Sequence, residues 1–322
     1  MSNAHADRLV ERLSTTVLKI VWRQWETLGA SLSREGRVSQ SAIDLDALLL
    51  ATAGLLEREP RLRDVIASWL TTCPGTLSVQ RVRNLAKRFP AAVTSQLPTI
   101  AAVALDRGKD HRWKPLLTGT LSRRDFGDRG KDLVTPRTYR PSAAIIVQLR
   151  AGFGVGVKAD ALAYLLCVSS RGGGWATVGT IAEALDYSLA AVRRAADEMV
   201  DAHFLIAPDS ADRHAPAPRM YRTDPTPWGT LLGLNSGVPR WIRWDQQFIF
   251  ATKFFAWHEE TAKRTVTDYA FATALRELLA EHPRAIETDN PDVPPMPAVA
   301  EEIIPYFEGR LADWENWAGQ VG

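Results

Sequence analysis

Cysteine is scarce in this chain: Cys73 and Cys167 are the only two, and they stand far apart in 322 residues. Two thiols cannot build a disulfide framework, and they do not make a usual zinc site without histidines at ligand spacing. The six histidines (His5, His111, His203, His214, His258 and His282) form no cluster. Buried, reduced cysteines in a cytoplasmic protein are the expected state. Long apolar runs are missing as well. No stretch approaches the ~20 residues of a membrane-spanning helix. The longest candidate, 44–56, is short and interrupted by charge. Met1 to Val10 is polar and charged, unlike a secretory signal. Charge of one sign is also lacking: 39 Lys and Arg face 37 Asp and Glu. The overall charge therefore demands no polyelectrolyte partner. These absences predict a cytoplasmic protein with no membrane contact.

Signatures of catalysis are absent too. There is no nucleophile elbow, paired-carboxylate signature or metal-ligand spacing, so neither an enzymatic role nor a cofactor is expected. Gly152-Phe153-Gly154-Val155-Gly156 precedes an apolar helical pattern, but it is not G-x-G-x-x-G. Gly156-Val157-Lys158-Ala159 lacks the Gly-Lys-Ser/Thr that holds a phosphate and a metal. His258-Glu259-Glu260-Thr261-Ala262 opens like a metalloprotease helix and lacks the second histidine.

What is present is apolar periodicity at helical spacing. Residues 1–105 read as a helical domain. Leu9, Leu13, Val17, Ile20, Val21, Trp25 and Leu28 line one face of a first helix. A second helix is expected over 41–56, with Asp44 and Asp46 near its positive end. A third is expected from Pro60, which suits a first turn. A fourth spans 78–89, with Val79, Val82, Leu85 and Ala86 inward and Arg81, Arg83, Lys87 and Arg88 outward. Residues 62–89 therefore read either as a second DNA-reading helix pair or, more simply, as a bundle with a solvated basic face. Residues 106–141 carry ten Lys and Arg against five Asp and Glu and are broken by Gly and Pro, so they read as a basic linker. Residues 236–322 form a second helical domain, rich in aromatics from Trp241 to Trp257, which fit a core or a subunit interface. Its tail from Glu281 has nine acidic residues against two Arg.

The central stretch, 142–235, holds the most specific pattern. Thr177 caps a helix whose apolar face is Val178, Ile181, Ala182 and Leu185. The pattern breaks at Asp186-Tyr187. Ser188 is the next cap, and Val192, Ala195, Ala196, Met199 and Val200 form a second apolar stripe. Two short amphipathic helices joined by a tight turn make a helix-turn-helix. Residues 158–169 supply a preceding helix. Trp175-Ala176-Thr177, Phe204-Leu205-Ile206 and Arg219 to Thr223 read as short strands around a loop over 208–218.

On the Thr-Val-x-x-Ile-Ala-x-x-Leu opening, the Ser188-x-x-x-Val192 start and the His203-Phe204-Leu205-Ile206 exit, residues 157–223 resemble the winged helix-turn-helix domains of MarR-like and ArsR-like bacterial transcription regulators. The whole is then a mainly α chain: a helical N-terminal domain, a central winged helix-turn-helix with a small β-wing, and a helical C-terminal domain. The layout also looks like that of uncharacterised bacterial regulators of this size. The resemblance implies a transcription regulator that binds double-stranded DNA as a homodimer. The second helix would enter the major groove, bringing Ser188, Leu189, Ala190, Arg193 and Arg194 to it, while Arg213, His214 and Arg219 of the wing meet the backbone or minor groove. Two features run against this. Leu189-Ala190-Ala191 carries no hydrogen-bond code, and residues 158–224 hold seven Lys and Arg against nine Asp and Glu. The alternative is a protein-interaction module, such as the neutralising partner in a bacterial defence or toxin–antitoxin pair.

Overall fold

The structure, a computed structural model, describes residues 4–30, 38–117, 133–134, 141–169, 174–208, 219–234, 237–261, 267–290 and 293–322. Over them the protein is mainly helical, as the periodicity predicts. The first part contains α1 (Ala4–Thr27), α2 (Leu45–Gly54), α3 (Leu62–Thr72), α4 (Val79–Ala86), the short α5 (Ala91–Thr94) and α6 (Leu97–Asp106). The Asp44 carboxylate accepts from the Ala47 amide, and the Ser78 hydroxyl accepts from the Arg81 amide, so both helices start where a side chain satisfies an orphan N–H. The middle contains α7 (Ile145–Phe153), α8 (Val157–Ser169), β1 (Ala176–Thr177), α9 (Val178–Leu185), α10 (Leu189–Asp201), β2 (Met220–Tyr221) and α11 (Pro225–Leu231). The last part contains α12 (Trp244–Thr261), α13 (Asp268–Glu281) and α14 (Ile303–Val321). No helix among the described residues is long and apolar enough to cross a membrane.

The first and last parts share a single core, where the sequence suggests two separate helical domains. Helix α12 packs against both α1 and α2, and α14 packs against α1. Trp25, Trp69, Trp244, Phe248, Phe250, Phe254, Phe307 and Trp314 are buried together. The reason is visible in α2 and α12. Every residue of α2 from Leu45 to Ala53 is buried, and α12 is buried on most of its circumference. A helix that is apolar all round must be covered all round; α1, α4 and α5 cover α2 in part, and α12 from the far end of the chain packs on it as well. The polar ends of the buried indoles are matched: Trp25 donates to Thr52 Oγ1, Trp244 to Ser41 Oγ and Trp314 to Gln247 Oε1, each at 2.9 Å. The aromatics of α12 are thus core residues.

The described part of the basic linker is docked rather than free. Asp110 caps a 3-10 turn, His111–Leu116, that packs on α6 and buries Trp113. Gly108 lets this turn approach α3, because a Cβ there would lie 2.3 Å from the Leu70 carbonyl oxygen. Further on, Val134 is buried and bridges to Ala30.

The middle part has its own core, built from Ile145, Leu149, Leu162, Leu165, Leu166, Ile181, Leu185, Val192, Met199, Leu205, Tyr221 and neighbours. Helix α8 packs on α7, α9 and α10. Strands β1 and β2 are antiparallel, with Ala176 opposite Tyr221 and Thr177 opposite Met220. Ile206 adds one further bridge to Arg222.

Candidate nucleic-acid interface

The α9–α10 pair is held by three local devices. Thr177 Oγ1 accepts from the Thr180 amide, and Ser188 Oγ accepts from the Ala191 amide at 3.2 Å. Between them Asp186 takes φ +54°, the left-handed conformation that an acidic side chain tolerates better than most. The buried stripe of α10 is Val192, Ala195, Ala196 and Met199. Its other side is open: Leu189 is 60% exposed, and Ser188, Ala190, Arg193 and Arg194 are exposed with it. Neither Arg193 nor Arg194 is engaged in an ion pair among the described residues.

Two of the three acids of α10 are occupied, while Asp201 at its end is exposed. Both Asp197 oxygens accept from Arg219 at 2.9 Å, and Tyr221 Oη donates to the same carboxylate at 2.7 Å. The hydrogen bond with Tyr221 and then the Asp197 charge raise the Arg219 pKa. Lys158 of α8 lies 2.6 Å from Glu198. Of the predicted contact residues, Ser188, Leu189, Ala190, Arg193 and Arg194 share one face, while Arg219 is held against Asp197. Arg213 and His214 lie outside the described residues.

The unit is fastened to the helical body by buried charge. Arg81 of α4 reaches Asp44, lies 3.2 Å from Asp46 and donates at 2.8 Å to the carbonyl of Leu185, the last residue of α9. Arg150 of α7 grips Asp46 at 2.6 Å, Asp160 of α8 at 2.7 and 2.8 Å, and the Thr76 carbonyl at 3.0 Å. Tyr187, in the turn before α10, donates to Asp160 at 2.8 Å. Arg81, Arg150, Asp44, Asp46 and Asp160 are all at most 4% exposed. Around them Asn84 donates to the Asp186 carbonyl, and Arg88 pairs with the Asp186 carboxylate at 3.0 Å.

Burial opposes charge throughout this cluster, and the pairing outweighs it. Desolvation pulls the Arg81 and Arg150 pKa values down, yet the carboxylates around them hold both well above the ordinary arginine value. Burial pushes Asp44 up, but the charge and hydrogen bonds of Arg81 keep it below the ordinary carboxylate value. Burial first, and the Asp160 charge second, raise the Tyr187 phenol, which stays a donor. With nearly every guanidinium N–H spent on a buried acceptor, the cluster works as a clamp. It fixes the body, α8 and the α9–α10 turn relative to one another.

Sequence reasoning placed Arg81 outward, on the basic face of α4. The structure corrects this: Arg81 is 1% exposed, because Asp44 and Asp46 of α2 lie within reach of the same side. The clamp was missed as a whole. Its signal was present as single charges inside apolar runs: Asp46 in LDALLL, Arg150 in IIVQLR and Asp160 in DALAYLL. Such positions are buried, and buried charge must be paired.

A cavity of about 360 Å³ lies at the seam between the two cores, lined in part by Tyr164, Trp241 and Trp317. Its guanidiniums, Arg243 and Arg284, both face Glu183, at 3.5 and 3.6 Å. No group of His, Cys, Asp and Glu among the described residues could hold a metal ion. Comparison with known protein families, curated proteins and solved structures finds no match for this chain.

Proposed function

We propose that the chain is a DNA-binding transcription regulator. It reads duplex DNA as a homodimer, through a winged helix-turn-helix made of α8, α9, α10 and the β1–β2 ribbon. One observation carries the reading: Leu189, Ala190, Arg193 and Arg194 are exposed on one side of α10, the two arginines in no ion pair among the described residues, while Val192, Ala195, Ala196 and Met199 seat the other side on a core. Exposed guanidiniums at the start of a recognition helix suit guanine O6/N7 or phosphate. Leu189 and Ala190 offer no hydrogen bonds, and apolar groups at that position suit thymine methyls. Of the acids that would repel phosphate, Asp197 and Glu198 are paired with Arg219 and Lys158, and Asp201 stands at the far, C-terminal end of α10.

The test is fluorescence anisotropy of the full chain against duplex from the region upstream of its own coding sequence, across a salt series. Binding that prefers this duplex over a scrambled one, weakens with salt and collapses in Arg193→Glu/Arg194→Glu supports the regulator. No binding to any duplex at low salt sinks it.

A second reading, a protein-contact module, rests on one other surface. Phe153, Phe204 and Trp228 stack in a triangle with centroids 5.4 to 5.9 Å apart, with Phe153 40% and Phe204 38% exposed. Exposed aromatic clusters mark interaction sites. Crosslinking of a partner through a photoreactive residue at Phe204, with no DNA binding, favours this reading.

A further inference from the structure

Resting on the DNA-binding reading, we infer that the nucleic-acid surface does not end at α10 but continues onto α4, where Arg83 and Lys87 bind the phosphate backbone flanking the site read by α10. No Asp or Glu occurs between Asp64 and Asp106, and α4 lies in the middle of that stretch. A basic helix with no acid of its own is usually a solvated face. Here it has a specific neighbour. The side chains of Arg81 and Asn84 on one side of α4, and of Arg88 just past its C-terminal cap, all bond the segment 185–186 that opens the turn into α10. That contact fastens α4 to the turn leading into α10, whose first residues are the ones expected to meet DNA.

The next stripe of α4 is Gln80, Arg83 and Lys87, and all three are exposed. Arg83 and Lys87 stand four residues apart, on one face of the helix. Neither has an ion-pair partner among the described residues, whereas Arg81 and Arg88, which make the docking contacts, are both paired. Two cations with no ion pair among the described residues thus stand on a helix that a buried clamp ties to the turn leading into α10. Positioned but unspent positive charge of this kind suits phosphate oxygens, whose charge is sequence-independent. The central unit by itself has too few cations to draw a polyanion, with seven Lys and Arg against nine acids over 158–224. Arg83 and Lys87 supply from the body what the reading unit lacks. A basic helix pair at 62–89 was one option left open by the sequence; in this proposal α4 holds the backbone and reads no bases.

The experiment uses the full chain, two duplexes and three proteins: the wild type, Arg83→Gln/Lys87→Gln and Arg193→Glu/Arg194→Glu. One duplex carries the core site with about ten flanking base pairs on each side, roughly one helical turn; the other carries the core alone. On the long duplex the α4 variant should bind roughly ten- to a hundredfold more weakly. Its log–log salt slope should fall by about 1.8, two phosphates at about 0.9 each, and its preference for site over scrambled DNA should be unchanged. On the short duplex it should match the wild type, which a loss of folding would not do. If the α10 variant loses binding while the α4 variant matches wild type in affinity and slope on both duplexes, the α4 inference is overturned and the regulator reading stands. If the wild type binds no duplex, both fall.

Discussion

Arg81 and Arg150 carry the same guanidinium as Arg193 and Arg194, yet the two pairs are in opposite states. The first pair is at most 3% exposed and almost every N–H is bonded, tying α2, α4, α7 and α8 to the turn before α10. The second pair is exposed and in no ion pair among the described residues. Charge that is buried and matched is expensive to disturb, because removing one partner strands the other away from water. Charge that is exposed and unmatched adds little to stability and remains available for a ligand. The difference teaches that an arginine in this chain is to be read from the side of the helix it occupies and from what faces it.

The comparison breaks most visibly at Arg150. Arg150→Met leaves Asp46 and Asp160 facing each other without their shared cation, and should cost about 3–5 kcal/mol, read from urea denaturation monitored by tryptophan fluorescence. A loss below ~1 kcal/mol would mean that the carboxylates find another partner. By contrast, Arg193→Glu/Arg194→Glu should stay within about 0.5 kcal/mol of wild type in the same assay, as exposed substitutions do. A loss as large as that of Arg150→Met would show that α10 is not free to serve as a reading face.

Acid should distinguish the two pairs as well. Arg81 holds the folded Asp44 below its ordinary pKa. Its contribution is therefore fully present above the unfolded carboxylate pKa of about 3.9 and is lost as pH falls through the depressed folded value. The urea midpoint of the wild type should drop over that acidic window. Asp44→Asn should start lower at neutral pH and fall less steeply. Parallel curves would remove Asp44 from the clamp. The smallest effect is expected at Asp197→Asn, where the surface pair with Arg219 contributes about 0–1 kcal/mol. Freeing Arg219 and deleting an acid near the phosphates should tighten DNA binding a few-fold in anisotropy, and weaker binding would show that Asp197 positions the wing.

The helices of the central unit were legible because each rule that makes them is local. Thr177 and Ser188 cap, Asp186 breaks the pattern, and the apolar stripes repeat at helical spacing, all within 29 residues from Thr177 to Leu205. Short-range signals of that kind need no knowledge of the rest of the chain. The clamp was not legible in the same way. Asp46, Arg81, Arg150 and Asp160 lie up to 114 residues apart in number, and each by itself is only an odd charge in an apolar run. Which charge meets which depends on how α2, α4, α7 and α8 converge. The site face was legible in part. Ser188, Leu189, Ala190, Arg193 and Arg194 follow from helix phase alone, whereas the capture of Arg219 by Asp197 depends on the β1–β2 pairing that brings the return strand beside α10.

By itself, then, the sequence determined the mainly helical character of the chain, the position of the two helices around Asp186 and the exposed side of α10. These follow from periodicity, capping and backbone preference, which act over a turn or two of chain. Only the tertiary structure decided that the first and last helices share one core, that Arg81 turns inward, and that α4 is fastened to the turn leading into α10. Those outcomes come from covering helices that are apolar on every side and from pairing charges that cannot be left alone in the interior, and both requirements are met by partners far away in the chain.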